Sequence, residues 1–143
     1  MSQIHTYQVH LKWKEGRIGE VSSPELEQTI ECATPPEFAN GVPNIWSPEH
    51  FYAAAINSCF MTTFLAIAES SRIEFESFQC ETEITLEIVD KKFMITKAKI
   101  QPKVILKDSD KKDRMSRVLD KTKEHCLVTN SMKTEVTLVP EIN

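Results

Sequence analysis

The segment Trp46–Ala68, WSPEHFYAAAINSCFMTTFLAIA, constrains how the rest of the chain can pack. Ser47 suits the N-cap of a helix, and Pro48 suits the first helical position. Glu49 adds negative charge in the first turn, where the helix dipole favours it. From Phe51 to Ala68 no side chain is charged, although a surface helix normally has a polar face. The segment therefore predicts a helix that is buried on nearly all sides.

A membrane-spanning helix is the alternative, because the uncharged run reaches the minimum length for one. Asn57 and Thr62 interrupt that run, and charge resumes at Glu69, which favours a helix inside a globular protein and no membrane partner. A chain of 143 residues has few residues with which to bury such a helix on all sides. We therefore expect two copies to share their central helices as a homodimer.

The composition is that of one globular domain over residues 1–143, with 41% hydrophobic and 27% charged residues. The net charge of -4 gives no electrostatic indication of a nucleic-acid partner. The first residues contain no basic region followed by an apolar run, so no secretory signal is predicted and a cytoplasmic location is expected.

The four cysteines are expected to be reduced in that compartment. No C-x-x-C pair is present, and the four histidines are dispersed, so neither a metal nor another cofactor is predicted. Cys32 and Cys80 lie in strand-like patterns and are interpreted as packing residues.

Alternating apolar residues predict strands on both sides of the central helix. Before it, strands are expected over 7–13, 17–21 and 26–33. After it, 78–89 and 93–106 suggest a long hairpin, 109–126 an amphipathic helix, and 134–139 a closing strand. The fold class is therefore α+β, with antiparallel sheets packed around a buried central helix.

The thiol of Cys59 is either inert core or an activated nucleophile. At mid-helix the dipole helps little, so a reactive Cys59 would need a cation nearby. Arg17, which follows a turn at Gly16, is the best-placed cation, and Glu49 is the natural carboxylate to offset its desolvation. Along one straight helix Glu49 and Cys59 are about 15 Å apart. Either the helix breaks after its first turn, or a second chain completes the group across a two-fold axis.

Three stretches of the sequence resemble those of a known protein family. The helix segment WSPEHFYAAAINSCF, preceded by W-x-x-G-R and followed by CLVTNS, resembles the OsmC/Ohr family of organic hydroperoxide reductases; these stretches are Trp46–Phe60, Trp13–Arg17 and Cys126–Ser131. The similarity covers nearly the whole chain. Many members have proline directly after the second cysteine, where this chain has Leu127.

The resemblance implies an OsmC/Ohr-like fold, an intertwined homodimer and a thiol peroxidase that reduces organic hydroperoxides to alcohols. Cys59 would be the peroxidatic residue and Cys126 the resolving one, with Arg17 holding the thiolate and Glu49 orienting Arg17. The oxidised cysteine pair would then need an external dithiol, which in this family is often carried by a lipoylated protein. We further expect Phe51, Phe60 and Met61 to line an apolar pocket that favours organic over small inorganic peroxides.

Two other functions remain open. One is a non-catalytic module that holds a fatty acid or similar ligand in the interface pocket. The other is a redox sensor, whose cysteines report oxidation without turning over. His50 and His125 flank the site residues and are interpreted as capping or solvated side chains rather than as bases.

Overall fold

The computed structural model describes residues 3–143 and contains two compact units, one ending at Phe51 and one running from Tyr52 to Asn143. The first unit is a three-stranded antiparallel sheet in the order β1-β2-β3, with β1 at His10–Glu15, β2 at Ile18–Ser22 and β3 at Ile30–Ala33. Glycine is required at the β1–β2 turn, because Gly16 has a φ of 52°.

The alternation of apolar residues in β1 is typical of a strand with one buried face, but that face is exposed. All six of its residues are exposed, including Leu11 at 68% and Trp13 at 72%. The predicted start at Tyr7 was also too early, since the strand begins at His10. Alternation identifies which face is apolar, but it does not identify what covers that face.

The second unit is built on a long antiparallel hairpin, as predicted. Strands β4, Phe75–Val89, and β5, Lys92–Leu106, are joined by Asp90 and Lys91, whose φ angles of 51° and 68° are those of a type I′ turn. The short strands β6, Glu135–Leu138, and β7, Glu141–Ile142, both pair with β5 in parallel. The sheet is therefore mixed: its main hairpin is antiparallel, as expected, and its two short strands are parallel to β5.

Helix α1, Pro48–Ser70, confirms the predicted central helix. A 3-10 turn at Ser109–Lys111 leads into α2, Lys112–His125, and the short helix α3, Leu127–Asn130, follows directly. In the second unit α1 and α2 pack on the sheet around a common apolar core. Its members include Ile56, Phe60, Phe64, Ala98, Ile100, Val104, Met115 and Leu119.

Burial of α1 within one chain is one-sided rather than complete. Ile56, Cys59 and Phe64 are buried, whereas Met61 and Leu65 on another face are 41% and 42% exposed. By length and composition α1 would also suit a membrane span, but the core helix of a globular protein has the same composition. The prediction of burial on nearly all sides therefore fails for the isolated chain, because the described residues leave Met61 and Leu65 exposed.

Candidate active site

Cys59 lies at the middle of α1 and is 9% exposed, on the border between the core and solvent. One turn further along the helix, the Thr63 hydroxyl lies 3.9 Å from the Cys59 sulfur. Residues four apart on a helix share a face, so this pair is set by the sequence. Cys59 is a free thiol, like the other three cysteines.

Cys126 occupies the junction between α2 and α3 and is completely buried. Its backbone is extended, with φ -70° and ψ 107°, so α2 ends there and α3 begins afresh. The Cys126 carbonyl accepts hydrogen bonds from the Asn130 N–H at 3.0 Å and the Thr129 hydroxyl at 3.2 Å. At the start of α3 the first backbone N–H groups have no partner within the helix and are available to other acceptors.

Those free amides point at Cys59. Burial is the largest influence on the Cys59 thiol and by itself would raise its pKa. Hydrogen bonds from the Val128 N–H, the Cys126 thiol, the Thr63 hydroxyl and the Leu127 N–H outweigh burial, and together they hold the pKa of Cys59 below its ordinary value. The structure thus brings Cys59 and Cys126 into hydrogen-bond contact and favours ionisation of Cys59.

This arrangement differs in one respect from the electrostatics expected from the sequence. A reactive Cys59 was expected to require an arginine, yet main-chain amides already lower its pKa. Thr63, Leu127 and Val128 were not among the predicted site residues. A helix of four residues is too short to be predicted from hydrophobic periodicity. Backbone N–H groups are the same in nearly every residue, so the sequence does not show which of them are free to donate. Only the i, i+4 spacing of Cys59 and Thr63 could have been recognised.

Cys80 contrasts with Cys59. Its half-buried thiol lies in β4, where burial raises its pKa to about 11. A thiol with that pKa is almost entirely protonated at neutral pH and is a poor nucleophile. The interpretation of Cys80 as a packing residue agrees with this environment.

Arg17 and Glu49 both belong to the first unit. Arg17 is exposed and lines an open recess of about 520 Å³ together with Gly16 and Asn40. Glu49 is partly buried in the first turn of α1. Among residues 3–143 the two form no ion pair with each other. Because α1 continues unbroken from Pro48 to Ser70, the alternative in which it breaks after one turn is excluded.

The three residues expected to line a pocket have different environments. Phe60 is 0% exposed and stacks on Phe78 at a centroid distance of 6.4 Å, so within its own chain it is a core residue with no free surface. Met61 lies on the exposed face of α1. Phe51 belongs to the first unit and stacks on Trp46 at 5.7 Å. Phe60 therefore offers no surface for a substrate within this chain.

The two histidines near the site have ordinary roles. His50 supports the N-cap of α1: the Ser47 hydroxyl accepts from the His50 backbone N–H at 3.2 Å, and the His50 Nδ1 lies 2.6 Å from that hydroxyl and accepts from the Ser47 backbone N–H at 3.3 Å. His125 is exposed at the end of α2. Within residues 3–143, no three His, Cys, Asp or Glu side chains are grouped closely enough to hold a metal ion.

Replacing Leu127 with proline is expected to weaken Cys59 without breaking the fold. Proline suits the first position of α3, and the extended backbone of Cys126 suits the residue before a proline. The change removes the N–H that Leu127 donates to the Cys59 sulfur. Alkylation of Cys59 at pH 7, followed by peptide mass spectrometry, should then be about three- to tenfold slower. Leu127→Ala keeps the N–H and should react like the unmodified protein; equal slowing in both variants would contradict a role for this amide.

Comparison with known proteins places this arrangement in a family. The sequence model of the OsmC-like proteins matches residues 41–141. YmaD of Bacillus subtilis, an uncharacterized protein, is 23% identical over 139 residues, which cover 94% of this chain and 91% of YmaD.

Solved structures share the fold. An OsmC-like protein of unknown function from Vibrio cholerae matches with a TM-score of 0.86 at 22% identity, over 96% of this chain and 99% of that chain. An organic hydroperoxide resistance protein from Elizabethkingia anophelis matches with a TM-score of 0.81 at 18% identity, over 100% of both chains. These matches confirm the predicted α+β fold of the OsmC/Ohr type. The family model covers both α1 and the Cys126 junction, and the chain belongs to the OsmC-like protein family.

Proposed function

We propose that this protein is a thiol-dependent peroxidase that reduces organic hydroperoxides to alcohols. The observation that carries the proposal is the Cys59–Cys126 pair: two free thiols in hydrogen-bond contact, with the pKa of Cys59 lowered. Reactive cysteines need thiolate character and some access to solvent. Cys59 has both, and we propose that Cys126, its completely buried neighbour, reacts with what forms on Cys59.

The proposed cycle balances with the two cysteines and one dithiol. The Cys59 thiolate attacks the outer oxygen of the hydroperoxide; an S–O bond forms, the O–O bond breaks, and the alkoxide takes a proton to leave as the alcohol. Cys126 then attacks the Cys59 sulfenic acid, forming the disulfide and releasing water. An external dithiol reduces that disulfide by thiol–disulfide exchange. In keeping with the family, we propose that a lipoylated protein carries this dithiol.

A homodimer is part of the proposal. The isolated chain exposes apolar surface on α1, at Met61 and Leu65, and on β1, at Leu11 and Trp13. Exposed apolar patches of this kind mark interaction sites, and we propose that a second copy covers them. Light scattering should give the mass of two chains, and Leu65→Asp should shift it toward one; a monomeric unmodified protein would contradict this part.

Intact mass after one equivalent of cumene hydroperoxide tests the function directly. The peroxidase should lose two hydrogens, with the Cys59–Cys126 link found by peptide mapping, and added dithiol should restore the thiols for further rounds. An unchanged mass would support the ligand-binding module instead. A link that forms once but that no dithiol reduces would indicate the redox sensor.

The substrate class is proposed to be organic because an exposed apolar side chain belongs to a residue whose backbone bonds the sulfur. Leu127, whose N–H bonds the Cys59 sulfur, has a side chain that is 69% exposed. Covering it with an alkyl or acyl tail favours binding by about 25 cal/mol per Å² of apolar surface buried. The kcat/KM for cumene hydroperoxide should therefore exceed that for hydrogen peroxide; equal values would count against an apolar substrate site.

We propose that Arg17 polarises the bound peroxide and that Glu49 orients Arg17. Replacing Arg17 with alanine is therefore expected to lower kcat/KM about a hundredfold. Lys14→Ala is the matched control, because it also removes a cation from the three-stranded sheet. The known partner of Lys14 is Glu31, at 3.0 Å. Steady-state kinetics with cumene hydroperoxide measures both variants. Equal rates for the Arg17 variant and the control would remove Arg17 from the mechanism.

A further inference from the structure

Two consecutive threonines on α1 direct their hydroxyls to different atoms of the same cysteine. Thr62 donates to the Cys59 backbone carbonyl at 3.1 Å, the usual back-bond of a threonine in a helix. Thr63 makes no such bond. Among residues 3–143, the only hydrogen-bond partner of its hydroxyl is the Cys59 sulfur, at 3.9 Å.

The direction of the Thr63 hydrogen bond follows from the charge on the sulfur. A thiolate can only accept, so the hydroxyl must donate whenever Cys59 is ionised. Because Thr63 is β-branched and lies in a helix, its side chain is confined to few rotamers. The hydroxyl oxygen is therefore held near the sulfur, and its O–H can rotate to donate to it.

We propose that Thr63 is a positioning residue: its hydroxyl holds the Cys59 sulfur in the rotamer that faces Cys126 and the backbone amides of Leu127 and Val128. The Cys59 side chain is short and has one rotatable bond before the sulfur, so a single donor can select among three staggered positions. In the rotamer observed, the sulfur contacts both Thr63 and the junction that carries Cys126. Thr63 thus contributes to the ionisation of Cys59 and holds its sulfur toward Cys126.

The titratable neighbour of the sulfur is the Cys126 thiol, which hydrogen-bonds to Cys59 from the α2–α3 junction. On α1 itself no residue from Phe51 to Ala68 other than Tyr52 and Cys59 is titratable. The Tyr52 hydroxyl is engaged elsewhere, with the Thr134 hydroxyl at 2.5 Å. A change in the ionisation of Cys59 on altering Thr63 would therefore report on the hydroxyl and not on a displaced charge of α1.

The test compares three variants by the pH profile of Cys59 alkylation with iodoacetamide, resolved from the other cysteines by peptide mass spectrometry. Thr63→Val keeps the shape and removes the donor, and should slow alkylation at pH 7 about three- to tenfold and move the profile to higher pH. Thr63→Ser keeps a hydroxyl and should restore most of the rate. Thr62→Val, the matched control, should stay within about twofold of the unmodified protein.

Two results would overturn the inference. Coinciding profiles for Thr63→Val and the unmodified protein would show that the hydroxyl does not act on the sulfur. Equal shifts in Thr63→Val and Thr62→Val would show a general disturbance of the helix. The inference deepens the proposed peroxidase function, but alkylation needs no peroxide. A protein with the expected profiles that leaves hydroperoxide unconsumed would therefore contradict the peroxidase function alone.

Discussion

Replacing Cys59 with serine is expected to abolish hydroperoxide reduction, lowering turnover by about a thousandfold or more. A serine hydroxyl ionises far above neutral pH, and neither the Leu127 and Val128 amides nor Thr63 can make up that difference. The variant should keep the fold, because serine is close to cysteine in size and Cys59 lies at the border of the core. Consumption of cumene hydroperoxide and intact mass after its addition measure the effect.

Cys80→Ser is the matched control for this substitution. Cys80 also belongs to the second unit, but burial raises its pKa to about 11, so it does not compete as a nucleophile. We expect this variant to retain full turnover. If Cys80→Ser lost activity, or Cys59→Ser kept it, the nucleophile would have to be sought elsewhere.

The pH dependence of the unmodified protein should follow the ionisation of Cys59. The rate of attack on peroxide rises with pH through the pKa of the thiol and levels off above it, because only the thiolate reacts. Since hydrogen bonds hold this pKa below its ordinary value, the plateau should begin at a lower pH than for an unperturbed cysteine.

Local signals predicted the main elements of the fold. The N-cap at Ser47 and the uncharged run to Ala68 predicted α1, and the structure extends it only to Ser70. Alternation predicted the β4–β5 hairpin, whose two-residue turn fixes its register. The parallel direction of β6 could not be predicted in the same way. It depends on how α2 carries the chain across the sheet, and periodicity identifies a strand without giving its direction.

The candidate site was predicted unevenly for a physical reason. The roles of the two cysteines were inferred from the family resemblance. In the structure the Cys126 thiol hydrogen-bonds to Cys59, and their redox pairing stays a prediction. Two of the four groups that lower the pKa of Cys59 are main-chain amides, those of Val128 and Leu127. They become available only because α2 stops at Cys126 and α3 restarts. These donors result from a break between two helices, so a pattern of side chains does not predict them.

Replacing Cys126 with serine should leave the first chemical step intact and stop the cycle after about one turnover. The serine hydroxyl can still donate to the Cys59 thiolate, so attack on the hydroperoxide should proceed at nearly the original rate. The sulfenic acid that forms has no thiol beside it to condense with. Intact mass should show one added oxygen on Cys59, and with excess hydroperoxide two, as the sulfinic acid accumulates.

Cys126→Ala separates the two contributions of this residue. Alanine removes both the resolving thiol and the hydrogen bond to Cys59, so the first step itself should slow, by about two- to tenfold at pH 7. Stopped-flow measurement of a single turnover distinguishes the variants, because the serine variant should be fast and the alanine variant slow. Sustained turnover by either variant would exclude Cys126 as the resolving cysteine. Equal first-step rates would mean that its thiol does not help to ionise Cys59.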